Sequence, residues 1–336
     1  MDSILVTGGA GFIGSHTVVE LVAAGYRPVI VDNFSNSEHF VIERLEQLTG
    51  QKISCYEQDF QDIDKLKEVI DKEQIRGIIH FAAYKLVGES VSDPLKYYGN
   101  NVVGLIKLLE LVETSHVKHF VFSSSCTVYG NPDTLPVTED SPVKPAESPY
   151  GATKQIGEMV LKDASVVSKG FNAIALRYFN PVGAHPSALI GELPKGIPAN
   201  LVPFVTQTAA GLREKLIVHG NDYPTEDGSC VRDYIHVVDL AKAHVKALSR
   251  LENQSPASYD VVNLGTGKGS SVLEVIHTFE QVTGQKLSYE IGPKREGDII
   301  STYAAVNKAR EILGWQAEKT LADALSDAWR WQQTLG

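Results

Sequence analysis

Cysteine is scarce in this chain, and the three that occur, Cys55, Cys126 and Cys230, are odd in number, far apart and free of CxxC or Cys/His spacing. That argues against a disulfide framework and a zinc site, and it reads as reduced thiols in a cytoplasmic protein. Long apolar runs are missing as well. None approaches the roughly 18 residues of a membrane span, and MDSILVTGG enters a strand without the basic and apolar regions of a signal peptide. Basic clusters are absent too: 41 acidic residues against 31 basic ones give a formal charge of −10. Neither nucleic acid nor an anionic membrane is an expected partner, and any anionic ligand must be held by a few placed groups. The ten histidines lack ligand spacing and no GxSxG occurs, so a metalloenzyme or a serine hydrolase finds no support.

What the chain does have is length and pattern. Its 336 residues, 43% of them hydrophobic and 21% charged, suffice for one large domain or two lobes around a sizeable core. SILVT, from Ser3 to Thr7, is a short buried-strand run that breaks into GGAGFIGSH, and HTVVELVAAGY then carries helical periodicity to a glycine stop at Gly25. Strand, glycine turn, helix is the order a dinucleotide site needs. Gly8, Gly11 and Gly14, spaced GxxGxxG, let the backbone turn tightly, approach a pyrophosphate and pack helix on strand, while the helix N-terminus attracts the phosphates. This differs from GxGxxG, and alone it is equally an ordinary tight turn. The next strand, RPVIVDNF, reaches Asp32, 24 residues beyond Gly8 and close to the position of a carboxylate that binds ribose hydroxyls. Such an acid repels a 2′-phosphate, so NAD is expected over NADP.

Strand-like runs recur at ISCYEQDF, GIIHFAAY, HFVFSSS and NAIALRYF, separated by segments such as DIDKLKEVIDKEQ and VVGLIKLLELVETS with helical spacing. The alternation predicts an α/β fold, a doubly wound parallel sheet with right-handed crossovers and ligands at the carboxyl ends of its strands. That rule selects Asp59 and Phe60 near adenine, Phe81, Ala82, Ala83 and Lys85 along the cofactor, and Ser123 to Ser125 at the nicotinamide end. Asn100, in YYGNNVVG, is expected to begin the following helix. Each of these alone is as readily a loop or cap residue.

In SPYGATK, Pro149 marks a helix start and places Tyr150 and Lys154 at i and i+4, on one face toward the sheet end. An ammonium near a phenol favours phenolate, as does a cationic nicotinamide ring, and both draw a pKa near 10 toward the working pH. YxxxK alone is also a common stretch of ordinary helix. SSSCTVYG, some 25 residues upstream, ends a strand in three hydroxyls, and Ser125 is placed to share a hydrogen bond with a substrate alcohol and help pass its proton to Tyr150. Cys126 beside it reads more readily as a buried filler than as a reactive thiol.

TGGAGFIGSH, Asp32, SSSCTVYG and YGATK together resemble the extended short-chain dehydrogenase/reductase family. The later runs YFNPVGAH, GNDYPTEDGSCVRDYIHVVDLA and REGD are similar to those of its UDP-galactose 4-epimerases, and the likeness runs over essentially the whole chain. The resemblance implies a Rossmann-type sheet with a smaller mixed α/β substrate lobe: residues 1–180 with 236–268 for NAD, and 181–235 with 269–336 for a UDP-hexose. It implies NAD contacts by the glycines, Phe12, Ile13, Asp32, Asn33, Asp59, Phe60, Phe81 to Ala83, Lys85, Asn100 and Tyr178, with Tyr150 and Lys154 at the nicotinamide. For the substrate it implies Lys85, Ser125 and Tyr150, amide contacts by Asn180 and Asn200 near the diphosphate, forks from Arg232 and Arg295, Asp298 on the uridine ribose, and Leu201, Ile217 and Val218 flanking uracil. On spacing alone either arginine reads more readily as a surface ion pair, and the resemblance reverses that.

Members that act strictly on glucose and galactose place a tyrosine four residues after the Asp of R-x-G-D. Thr302 stands there in this chain, which points to room for a 2-acetamido group. Two rivals remain within view. A sugar-nucleotide 4,6-dehydratase usually carries an Asp-Glu pair where this chain has Cys126 and Thr127; a non-catalytic NAD-binding regulator has no need of Ser125, Tyr150 and Lys154 together. The family usually pairs through two helices of the first lobe, so a homodimer is expected, with YYGNNVVGLIKLLELVE and YGATKQIGEMVLKDAS as candidate contacts. Amphipathic helices that merely pack on a sheet have the same pattern.

Overall fold

The computed structural model describes residues 2–168, 170–253, 259–295 and 298–335; Glu296 and Gly297 of the REGD run lie outside the described residues. Short β-rich runs become strands β1 Ser3–Thr7, β2 Arg27–Asp32, β3 Ser54–Glu57, β4 Ile75–His80, β5 His119–Ser125 and β6 Asn172–Tyr178. Smaller strands follow: β7 Asn180–Val182, β8 Leu216–His219, β9 Val231–Arg232, β10 Tyr234–His236, β11 Tyr259–Leu264, β12 Ser270–Ser271, β13 Tyr289–Gly292 and β14 Ser301–Thr302. The helices are α1 Phe12–Ala23, α2 Phe40–Thr49, α3 Ile63–Glu73, α4 Val87–Ser92, α5 Pro94–Tyr97, α6 Gly104–Glu113, α7 Pro149–Val167, α8 Leu201–Ala209, α9 Val237–Glu252, α10 Val272–Thr283, α11 Asn307–Leu313 and α12 Leu321–Gln333.

Seven strands form one sheet in the order β11-β6-β5-β4-β1-β2-β3, every pairing parallel. β1 and β6 are buried along their whole length, as a sheet covered on both faces requires. One apolar cluster, with Ile4, Val6, Val18 and Leu248, fills the α1/α9 side, and a second, with Leu5, Leu66, Leu108 and Leu161, fills the α3/α6/α7 side. The order reverses between β4 and β2 around β1, which opens a crevice at the carboxyl ends of the strands. A third cluster, built on Val205, Val275, Phe279 and Leu325, joins α8, α10 and α12 over the small β8/β13 pair. Helices α10 and α12 each start in a capping box, Ser271 with Glu274 and Thr320 with Asp323.

Two expectations need correction here. Asn100 does not begin a helix: it sits in a π-helical turn, Tyr98–Val103, that joins α5 to α6 without a break. The wider turn rotates Asn101 onto Tyr84, whose N–H it accepts at 3.0 Å and whose C=O it bonds at 2.9 Å. The segment 307–315 also departs from the proposed division, because Ala309, Leu313 and Trp315 pack into the first-lobe core beside α9. Trp315 Nε1 donates to the Asp239 carbonyl at 3.0 Å. Packing against α9 outweighs position in the chain.

His16, His80 and His244 are buried and neutral, with burial pushing them down to about 3, about 3 and about 4. The unfolded chain therefore binds these protons first as pH falls, so their contribution to stability is complete above pH 6.5 and is lost between there and the folded values, by about 1.4 kcal/mol per histidine per pH unit. Urea midpoints measured on either side of that pH should show a clear drop on the acid side; equal midpoints would contradict it.

Candidate active site

The glycine turn brings α1 as close to β1 as a peptide backbone allows. Gly8 has φ +70°, and a Cβ there would lie 2.9 Å from the Ala82 amide nitrogen; a Cβ on Gly14 would lie 2.3 Å from the Gly8 carbonyl oxygen. Gly11 caps α1, which leaves the first-turn amides of Phe12 and Ile13 without intrahelical acceptors at the rim of the crevice. At the end of β2, Asp32 accepts from the Ala10 N–H at 3.0 Å and from the Phe34 N–H and Ser37 hydroxyl at 2.9 Å each. Asn33 Nδ2 donates to Asp59 at 2.9 Å. A Cβ-free cradle beside a helix N-terminus, followed by a fixed carboxylate, fits a dinucleotide whose ribose keeps its 2′-hydroxyl.

The other candidates on this side divide. The Phe81 N–H continues the ladder to the Thr7 carbonyl at 3.0 Å, leading Ala82 and Ala83 past Gly8. Phe60 is 4% exposed, with its ring against His80 and Gly104, so its side chain belongs to the core and only its backbone faces the crevice. Asn100 bonds Gln61 and Asn101. The Tyr178 hydroxyl donates to His244 Nε2 at 2.6 Å, because His244 Nδ1 donates to the Leu240 carbonyl.

Ser148 and Pro149 start α7: the Ser148 Oγ accepts from the Gly151 N–H at 3.2 Å, and proline takes the position where a missing N–H costs nothing. Tyr150 and Lys154 then meet the serine end of β5. Lys154 Nζ donates to the Ser123 carbonyl at 2.5 Å and lies 5.9 Å from the Tyr150 ring centre. Burial pushes Tyr150 up to about 12, opposed by its interaction with the Ser125 hydroxyl, and pushes Lys154 down to about 7, opposed by Glu158. The lysine's direct acceptors are the carbonyl and hydroxyl of Ser123, and Ser125 is the phenol's neighbour. Ser125 itself caps a 3₁₀ turn, accepting from the Thr127 N–H at 3.2 Å.

Across the crevice, Arg232 Nη2 stands 3.9 Å and Arg295 Nε 3.1 Å from Asp298, so the two forks and the acid form one cluster. Thr302 pairs in register with Arg232 and is buried. The Asn180 N–H donates to the Asp233 carbonyl at 2.9 Å, and Asn200 caps α8 immediately before Leu201. Ile217 and Val218 fall on opposite faces of β8: Ile217 is exposed and Val218 is in the lobe core, so only Ile217 has a side chain free to flank a base.

Sequence reasoning missed several residues around these. Glu192 accepts from Lys85 Nζ at 3.1 Å and from Asn200 Nδ2 at 2.7 Å, tying the two sides of the crevice together. Asp233 is wholly buried and accepts from the N–H groups of Thr266, Gly267 and Ala304 and from the Thr266 hydroxyl. No local pattern announces either. Glu158 was findable, since it continues the i+4 spacing of Tyr150 and Lys154.

A doubly wound sheet with a glycine cradle, an acid at the end of β2 and Ser–Tyr–Lys at the end of β5 defines an extended short-chain dehydrogenase/reductase. A family model described as GDP-mannose 4,6 dehydratase matches residues 5–328, nearly the whole chain. UDP-glucose 4-epimerase from Dictyostelium discoideum is 52% identical over 98% of this chain and 96% of its own length. The crystal structure of UDP-glucose 4-epimerase from Stenotrophomonas maltophila, with bound NAD and formylated UDP-arabinopyranose, matches with a TM-score of 0.97 at 46% identity, covering 100% of this chain and 99% of that one. That of the Bifidobacterium longum enzyme with NAD+ and UDP matches with a TM-score of 0.94 at 46% identity, covering 99% and 98%. The chain belongs to this family, among its UDP-glucose 4-epimerases.

Proposed function

We propose that this protein is a UDP-glucose 4-epimerase that interconverts UDP-galactose and UDP-glucose through a transient 4-keto sugar, with NAD as a resident cofactor. The observation that carries the reading is Tyr150 and Lys154 on one face of α7, against the serine end of β5, in the same sheet whose first strand carries the glycine cradle. NAD would be held by Gly8, Gly11 and Gly14 with the first turn of α1, and by Asp32 at the ribose. When bound, it supplies a hydride acceptor that returns what it takes within one turnover, and a cationic ring that favours phenolate.

The chain's own residues do the rest. Tyr150 removes the O4 proton and later returns it, Ser125 shares the hydrogen bond, and Lys154 opposes the cost of the phenolate charge. Asn180, Asn200, Arg232, Arg295 and Asp298 hold the UDP portion, while the hexose is gripped loosely enough to turn about its diphosphate and present its other face. Elimination is disfavoured, because burial pushes the Cys126 thiol up to about 12 and Thr127 is no acid. A cytoplasmic location accords with three free cysteines, and recovery from an extracytoplasmic fraction would remove it. Among the described residues no helix is long and apolar enough to cross a membrane.

Three outcomes are expected. Purified protein should convert UDP-galactose to UDP-glucose without added NAD, and Tyr150→Phe should lower kcat by about 10²-fold or more; equal turnover by the variant would sink the assigned base. Threonine at 302 is smaller than the tyrosine of strict members and would leave room for a 2-acetamido group, so UDP-N-acetylglucosamine should also be accepted and Thr302→Tyr should reduce that activity selectively, which parallel kcat/KM measurements decide. Exposed Leu95, Val103 and Ile106 near α6 and Met159 and Val166 on α7 offer an apolar face for a homodimer. Light scattering should give twice the chain mass, and a monomer at micromolar concentration would reject the pairing.

A further inference from the structure

Glu158 has no role in the reaction as derived, yet it lies a further four residues along the α7 face that carries Tyr150 and Lys154. It is 7% exposed and both oxygens are engaged: Oε1 by Arg177 Nε at 2.9 Å and by the Ser124 hydroxyl, Oε2 by Arg177 Nη2 at 2.6 Å. Arg177 also donates to the Tyr129 hydroxyl at 2.8 Å, which donates to Asn263 at 2.6 Å, so the network is satisfied through β5, β6 and β11. Ser123, Ser124 and Ser125 thus face Lys154, Glu158 and Tyr150 respectively.

The groups around the Lys154 ammonium otherwise bring it little negative charge. From β4, His80 is neutral; from β5, Phe122 offers its ring face at 4.9 Å and Ser123 its oxygens. From β6, Tyr178 is a phenol and Arg177 is matched by Glu158; Cys126 and Tyr150 remain protonated. We propose that Glu158 is a positioning residue for the proton-transfer pair: its carboxylate keeps the Lys154 amine charged in this enclosed site and, through Ser124 and Arg177, holds α7 in register on the ends of β5 and β6. The inference rests on the reading of Tyr150 and Lys154 given above. It agrees in sign with the electrostatics, since the Glu158 charge opposes the downward push of burial on Lys154. Without that charge the ammonium is lost at lower pH, and the alkaline limb of the rate profile moves toward acid.

The test is kcat and KM for UDP-galactose from about pH 5 to about pH 10, with thermal melting of each variant as a check on folding. Glu158→Gln should lower kcat about tenfold, change KM by less than about threefold and move the alkaline limb acidward by about one unit. Because that variant leaves Arg177 buried without its partner, E158L/R177M removes the whole pair and leaves an apolar contact, a change that buried ion pairs often tolerate. It should melt near the wild type and show the same acidward shift. A folded double variant with wild-type kcat and pH profile would reduce the pair to a structural brace and overturn the proposal, as would an unshifted limb in folded Glu158→Gln. Absence of epimerisation by the wild type would strike the underlying reading instead.

Discussion

The contact between Gly14 and the Gly8 carbonyl is the constraint on which the rest of the molecule depends. With no Cβ between them, α1 crosses β1 at backbone distance. Its N-terminus then stands over the carboxyl edge of the sheet where the strand order reverses. Asp32 from β2, the Phe81–Ala83 turn after β4 and the serines of β5 all open onto that edge. A side chain at either glycine would push the helix away and separate the phosphate-attracting amides from every other group in the crevice.

Burial sets the chemistry of the reacting end. It drives Tyr150 toward the neutral phenol and Lys154 toward the neutral amine, so each resists the charge that the proposed reaction asks of it. The Ser125 hydroxyl beside Tyr150 and the Glu158 carboxylate near Lys154 work in the opposite direction. The end proposed for the nucleotide is built differently, with cations, an acid and amides on separate strands and helix caps.

Three sets of contacts bind the lobes into one frame. Asp233 gathers the loop after β11 and the strand carrying Thr302 around its carboxylate, with every acceptor oxygen engaged. The Trp331 ring covers Gly191, where a Cβ would meet it at 2.5 Å, and the Arg44 guanidinium lies 5.2 Å from that ring while donating to the Leu189 carbonyl. Glu192, next to Gly191, then reaches Lys85 and Asn200. The proline- and glycine-rich loop after β7 is therefore a fastened strap.

The sequence by itself determined what depends on near neighbours in the chain. The strand runs, the glycine stop of α1, the Pro149 start of α7 and the i+4 spacing of Tyr150 and Lys154 are local patterns, and period and turn chemistry make them legible. The likeness to a known family extended that reading to residues far apart, such as Arg232 and Asp298. Tertiary structure decided what depends on partners distant in the chain. Val218 turned to the core because β8 alternates against α8 and α10, Phe60 filled the space beside Gly104, Trp315 went to the first lobe because α9 offered it a carbonyl, and Asn100 lay within a π turn because Asn101 was bound to Tyr84. Apart from Val218, which strand alternation relates to its neighbour, each of these turns on a contact between residues that no periodic pattern relates, which is why sequence spacing is silent about them.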